Sequence, residues 1–258
     1  MRLRVFGSGS KGNALAVRSG NTLLLVDCGF SCRELEKRMV ACGVRADDVT
    51  AVLFTHDHSD HCKGIATFHS RHPQIPLYAN GNTADAIATL TGVDDGWCVF
   101  ETAEPFTVGE IDITSFSIPH DAADTVGYLF SDASSSLFVG TDMGVPTLPV
   151  KEALARATCA VLESNHDPTL LACSDRPVSL KQRIAGRGGH LSNQDAADLL
   201  REVSPQHLKT LLLAHLSRPC NAPYLALESM REALKDIGRP DIALAALDQD
   251  EPSDIFEI

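Results

Sequence analysis

An apolar run, Ala51–Phe54, leads directly into Thr55-His56-Asp57-His58-Ser59-Asp60-His61. Four potential metal ligands within six residues, His56, His58, Asp60 and His61, constrain this chain more than any other stretch. In an extended or loop segment, side chains two residues apart point to the same side, so His56 and His58 can reach one ion. Asp60 and His61 follow after the chain turns and can address a second ion nearby. Imidazole with carboxylate is the donor set of zinc, manganese or iron. A solvated histidine-rich loop is the plain alternative, and the position directly after a buried-type strand argues against it.

Four residues cannot complete two metal sites, so further ligands are expected at other strand ends. His120 follows the strand-like run Ile111–Ser117, in Ile118-Pro119-His120-Asp121. Asp142 follows Leu137–Val139 in Gly140-Thr141-Asp142-Met143-Gly144, and His215 follows Leu211-Leu212-Leu213 in Ala214-His215-Leu216-Ser217-Arg218. Each alone can be read as a turn aspartate or a hydrogen-bonded core histidine. Their shared context, where an apolar strand empties into a loop, favours a site.

The rest of the chain alternates short strands with amphipathic helices. Leu3–Phe6, Ala14–Arg18 and Thr22–Val26 read as a meander separated by Gly7–Asn13 and Ser19-Gly20-Asn21. Ser31-x-x-Glu34 is a capping box for a helix to about Ala41, stopped by Gly43. Strands are expected at Trp97–Phe100, Thr125–Phe130, Cys159–Glu163 and Thr210–Ala214. Helices fit Ala84–Leu90, Asp195–Val203 capped by Ser192 or Asn193, and Leu225–Ile237 closed by Gly238 and Pro240. No low-complexity linker divides the 258 residues, so a single domain over 1–258 is expected, with two sheets under outer helices.

Eight scattered cysteines without a C-x-x-C pair, and no secretory leader in Met1–Phe6, predict a reduced, cytoplasmic protein. No apolar run reaches the roughly 18 residues of a membrane span. The formal net charge of −12 argues against a protein that coats nucleic acid nonspecifically. It leaves room for a nucleic-acid enzyme, because bound divalent ions reverse the potential within one cleft.

Thr55-His56-x-His58-x-Asp60-His61, followed in order by His120, Asp142 and His215, resembles the pattern of the metallo-β-lactamase superfamily. The resemblance implies an α/β (α+β) fold, a four-layer αββα sandwich of two similar halves with metals at the edge between the sheets. It implies two divalent ions per chain (Zn²⁺, Mn²⁺ or Fe²⁺). His56, His58 and His120 would hold one and Asp60, His61 and His215 the other, with Asp142 bridging. Asp27 matches an aspartate that supports the histidine loop from behind. True β-lactamases commonly carry cysteine where Asp142 stands. A bridging carboxylate suits two equivalent ions holding a hydroxide between them, which is phosphoesterase-like chemistry.

Ser8-Gly9-Ser10-x-Gly12-Asn13, Glu163-Ser164-Asn165-His166-Asp167, Gly189-His190-Leu191-Ser192-Asn193 and Ala214–Arg218 add a closer resemblance to the YycJ/WalJ-type bacterial branch. That branch is related to transfer-RNA-processing nucleases and phosphonate-pathway phosphodiesterases. It implies a DNA-directed nuclease with 5′-to-3′ exonuclease activity, and hence a nucleic-acid partner. Phosphodiester cleavage needs an in-line attacking water, charge neutralisation and a donor for the leaving oxygen. Asp60 is placed to orient the water and His190 to donate, partnered by Glu163 or His166. Ser217 and Arg218 are candidates for a neighbouring phosphate, with Ser10, Asn13 and His166 as further substrate contacts. Ser10 and Asn13 can equally serve only their glycine turn. Lys181, Arg183 and Arg187 form a loose basic cluster, while His69, His72 and His207 read as ordinary packing or surface residues.

Two other classes compete. A small-molecule hydrolase, such as a cyclic-phosphate diesterase, fits the acidic charge and an aromatic content of 5%, which offers no stacking platform. A thioesterase fits less well, because the segment after His215 is short. A non-catalytic regulatory protein would be free to lose ligands, and this set is complete.

Overall fold

The computed structural model describes residues 1–258. The first sheet takes β1 (Arg2–Gly7), β2 (Ala14–Ser19), β3 (Thr22–Val26), β4 (Ala51–Leu53), β5 (Leu77–Asn80) and β6 (Trp97–Phe100). The second takes β7 (Phe106–Val108), β8 (Ile111–Ser117), β9 (Val126–Ser131), β10 (Ser136–Gly140), β11 (Cys159–Glu163), β12 (Thr210–Ala214) and β13 (Ala243–Ala246). The C-terminal β14 (Phe256–Glu257) returns to the edge of the first sheet, giving orders β14-β1-β2-β3-β4-β5-β6 and β13-β12-β11-β10-β9-β8-β7.

The two sheets repeat one pattern. From β14 to β6, three antiparallel pairings precede three parallel ones, and the same succession runs from β7 to β13. β3 therefore corresponds to β10, β4 to β11 and β5 to β12. The central strands are buried on both faces, and alternate residues enter different cores. Leu137 and Val139 face the first sheet in a shared inter-sheet core, whereas Phe138 between them joins a second core outside.

Nine helices accompany the sheets: α1 (Cys32–Ala41), α2 (Ser59–Cys62), α3 (Ile65–Arg71), α4 (Gly81–Thr91), α5 (Leu148–Ala155), α6 (Pro168–Cys173), α7 (Val178–Ile184), α8 (Asn193–Val203) and α9 (Pro223–Asp236). α1, α3 and α4 close one outer core, and α5, α8 and α9 the other. The result is the expected four-layer αββα sandwich. Of the caps, Ser31 accepts from the Glu34 N–H, but the Glu34 carboxylate turns away to Arg38, 2.8 Å off, so the box is half formed. At α8 the box is complete, and Ser192 is the cap, with Asp195 reciprocating. α4 begins three residues before the expected Ala84, because Asn80 caps it.

Three of the five non-glycine residues with positive φ follow strand ends: Asp27 (φ 62°) and Asp142 (φ 57°) after the counterpart strands β3 and β10, and His215 (φ 56°) after β12. A left-handed turn of this kind costs about 1–3 kcal/mol and persists where its surroundings impose it. Here it swings a side chain back over the sheet edge, towards the loop after β4.

Candidate metal centre

Each histidine of the centre is tied outward through one ring nitrogen. His61 Nδ1 donates to Asp27 at 2.7 Å, His120 Nδ1 to the Gly189 carbonyl at 3.0 Å, and His58 Nε2 to the Asp121 carbonyl at 3.2 Å. His215 Nδ1 donates to Glu163 at 3.1 Å, and His56 Nδ1 lies 3.0 Å from the Thr55 hydroxyl, itself bonded to Asp27. A neutral ring that donates from one nitrogen presents a lone pair on the other. The inner nitrogens of His58 and His120 consequently face each other at 3.2 Å, and His61 Nε2 lies 3.1 Å from Asp142 Oδ2. His56 Nε2, His215 Nε2 and Asp142 Oδ2 are buried without a hydrogen-bond partner. Acceptors converging in this way repel one another, and each orphaned atom costs about 1–3 kcal/mol. A divalent cation relieves both, so the residues fit a metal.

His56, His58 and His120 bring one donor atom each to within 4.8 Å of one another, and so do Asp60, His61 and His215. Asp142 forms a further group with His56 and His61, and another with Glu163, His190 and His215. Its carboxylate thus lies between the two triplets. Asp27 touches His61 and the Thr55 hydroxyl and backbone N–H, behind the cluster. The close fit is also steric: a Cβ at Gly29 would collide with the Asp60 carbonyl, so only glycine lets this loop cross.

The electrostatics call for positive charge. Burial opposes protonation of His215, but Asp142, Asp60 and Glu163 together push it up to about 10. His61 is likewise raised, with Asp27 and Asp142 overcoming burial. His56 and His120, further from the carboxylates, are lowered by burial. Burial works against the Asp142 carboxylate too, yet His215 and His61 hold its ionisation well below the usual range.

His190 and Glu163 sit beside this centre. Glu163 is completely buried and accepts four hydrogen bonds: from His190 Nδ1 (2.8 Å), His215 Nδ1 (3.1 Å), Met143 N (2.8 Å) and Leu191 N (3.1 Å). Burial raises the Glu163 ionisation, His190 lowers it more, and the result is about 2. Against its own burial, His190 is raised by Glu163. Its Nε2 is left for whatever enters the cavity, which His190 lines together with Ser10, Asp60, Asn165 and Ser217.

Several expected contacts are placed elsewhere. His166 is 3% exposed, is not bonded to His190 and does not line the cavity; its carbonyl instead holds Asn193 N. Glu163, expected among the catalytic residues, has no exposed surface and can act only through His190 and His215. Arg218 turns outward to Asp250, a partner 32 residues away that the motif does not reveal. Asn13 is buried and does not line the cavity, but its amide nitrogen lies 2.9 Å from His61 Nε2, on the inner side of that ring. Two neighbours were missed. Asn165 donates to the His215 carbonyl at 2.8 Å, and Asp121 pairs with Arg183 of α7. Both lie inside motifs already quoted, adjacent to recognised ligands.

Comparison with known proteins agrees with this geometry. Residues 22–215 match the family described as the Beta-lactamase superfamily domain. The chain is 35% identical over 240 residues to exodeoxyribonuclease YycJ of Bacillus anthracis, covering 92% of this chain and 90% of that one. It is 33% identical to exodeoxyribonuclease WalJ of Streptococcus pneumoniae, covering 86% and 84%. Among solved structures it superposes on the metallo-β-lactamase fold protein YhfI from Bacillus subtilis with TM-score 0.73, at 19% identity and 99% of both chains. The chain belongs to the metallo-β-lactamase superfamily, in its YycJ/WalJ branch, and is a metal-dependent hydrolase of ester bonds.

Proposed function

We propose that this protein is a DNA-directed exonuclease that works with two divalent ions, held by His56, His58 and His120 and by Asp60, His61 and His215, with Asp142 shared. The observation that carries the reading is Asp142: a buried carboxylate, reachable from both triplets, with one oxygen lacking any hydrogen-bond partner. A shared carboxylate suits paired ions, whose chemistry in such a site is to neutralise phosphoryl charge and lower the pKa of a bound water. DNA as substrate is supported by the names of the two relatives that align along most of this chain.

Within that frame the chain's residues divide the work. Asp60, at the cavity wall, orients the attacking water. His190 donates from Nε2 to the leaving oxygen as the P–O bond breaks, and Glu163 stabilises its charged form through Nδ1. The same carboxylate fixes His215, so proton donor and metal ligand are positioned from one atom, Glu163 Oε1. Residues 1–258 act as one catalytic domain, since the ligands come from both sheets. No helix is long and apolar enough to cross a membrane.

The test is hydrolysis of 5′-phosphorylated single-stranded and duplex DNA, with RNA and bis-p-nitrophenyl phosphate alongside, in Mn²⁺ or Zn²⁺. Stepwise release of nucleotides from DNA is expected. Cleavage of the small ester alone, under every metal, contradicts the nuclease reading and favours a small-phosphodiester hydrolase.

A further inference from the structure

Two open cavities adjoin the metal centre, and they share Ser10 and Asp60. The groove therefore continues past the centre instead of ending on it. One flank is walled by the segment from Arg176 through α7 to Gly189. This wall is fastened to the centre: Asp121 N donates to the Gly188 carbonyl at 3.0 Å, Arg183 pairs with Asp121, and a Cβ at Gly144 would strike the Arg187 carbonyl. Arg183 is thus engaged, and Lys181 donates to the Ala172 carbonyl at 2.6 Å. Arg176, half-buried on the same wall, has neither an ion pair nor a hydrogen bond.

The second cavity is lined by Lys11 and Lys63. Lys11 is loosely held by Asp250 at 3.6 Å, whereas exposed Lys63 is unpaired. The one carboxylate lining this cavity besides Asp60 is Glu34, which is bonded to Arg38 at 2.8 Å. In a chain of net charge −12, an unpaired cation in each of the two cavities that meet at Asp60 favours anions there.

We propose that Arg176 and Lys63 bind the phosphates on either side of the scissile one, so that a single nucleic-acid strand runs through the groove across the metal centre. The assignment rests on the nuclease reading for its substrate and replaces Arg218 as the phosphate contact. A guanidinium grips phosphate in a fixed fork, while an ammonium tracks it as a point charge. Arg176 accordingly sets the register and Lys63 contributes mainly charge.

The experiment uses metal-loaded protein, as wild type, Arg176→Ala, Arg176→Lys and Lys63→Ala. It measures anisotropy of a labelled phosphorothioate single strand, which resists cleavage, across a salt series, together with KM and kcat on an unmodified strand and on bis-p-nitrophenyl phosphate. Each alanine variant is expected to weaken strand binding about five- to tenfold and to reduce the slope of log Kd against log salt by roughly 0.7. The KM on the strand should rise at least fivefold more than on the small ester, with Arg176→Lys recovering the slope but not the full affinity. Equal losses on strand and ester, or an unaltered salt slope, overturn the track. If wild type binds the strand without cutting unmodified DNA, the nuclease reading fails and the track stands. If it cuts DNA but neither variant alters binding, the track alone fails. Absence of strand binding by wild type overturns both.

Discussion

Glu163 has no surface, yet it reaches both His190, the proposed proton donor, and His215, a proposed metal ligand. His190→Ala should lower kcat roughly 10²–10⁴-fold, the span usual for a lost general acid, with metal content unaffected. Glu163→Gln should do less, about 10–100-fold, and it carries a signature that loss of packing would not. The Glu163 carboxylate raises the His190 pKa, and the donor works only when protonated. Removing the charge therefore lowers that pKa and moves the alkaline limb of kcat to lower pH; an unmoved limb would leave Glu163 merely structural. At this scale the cluster of proposed ligands was legible because four are local and the other three follow strands. The partner of Arg218 was not, since Asp250 lies 32 positions away, and for His190 the sequence left Glu163 and His166 as alternatives.

Loops at strand ends hold the sheets together as well as the centre. The turn between β9 and β10 is organised by Asp132, which accepts from Ser134 N (3.0 Å) and Ser135 N (2.9 Å) and, across the molecule, from the hydroxyl of Ser19 at the end of β2 (2.9 Å). Burial is the largest single influence and raises its ionisation, but these donors and the N-terminal ammonium together outweigh it and lower it. The folded-state value lies below the unfolded one of about 3.9, so the stabilisation is complete above pH 4 and disappears as pH falls through the folded value. Asp132→Asn should thus lower the urea midpoint at neutral pH, by about 1–2 kcal/mol after allowance for screening at the rim, and the difference from wild type should shrink in acid. Ser192→Ala, which opens the α8 box, should cost about 1 kcal/mol in the same assay. β8, β11 and β12 are readable as unbroken apolar or alternating runs with turn signals at both ends. β5 and β13 are short, and α6 and α7 run six and seven residues, under two turns, too few to establish a helical period. The wall that carries Arg176 was hidden for that reason.

The whole molecule is two like halves closed on one another, and the proposed metal ligands straddle the closure. His56, His58, Asp60 and His61 come from the loop after β4, whereas His120, Asp142 and His215 follow β8, β10 and β12 of the other sheet. Ions bound there staple the sheets. Each site filled at a hundredfold over its Kd adds about 2.7 kcal/mol, so chelation should lower Tm by roughly 5 °C or more, and readdition of Mn²⁺ or Zn²⁺ should restore it. The repeat itself was visible in the sequence only as equivalent apolar strands ending in polar residues; the pairing order that makes Asp27 and Asp142 counterparts belongs to the sheets. The central claim is the number of ions these residues hold. Chelator-treated protein retitrated with Zn²⁺ and counted by elemental analysis should take up two equivalents per chain, with Asp142→Asn impaired at both. Uptake of a single equivalent, or two equivalents indifferent to Asp142, would contradict the shared-carboxylate centre.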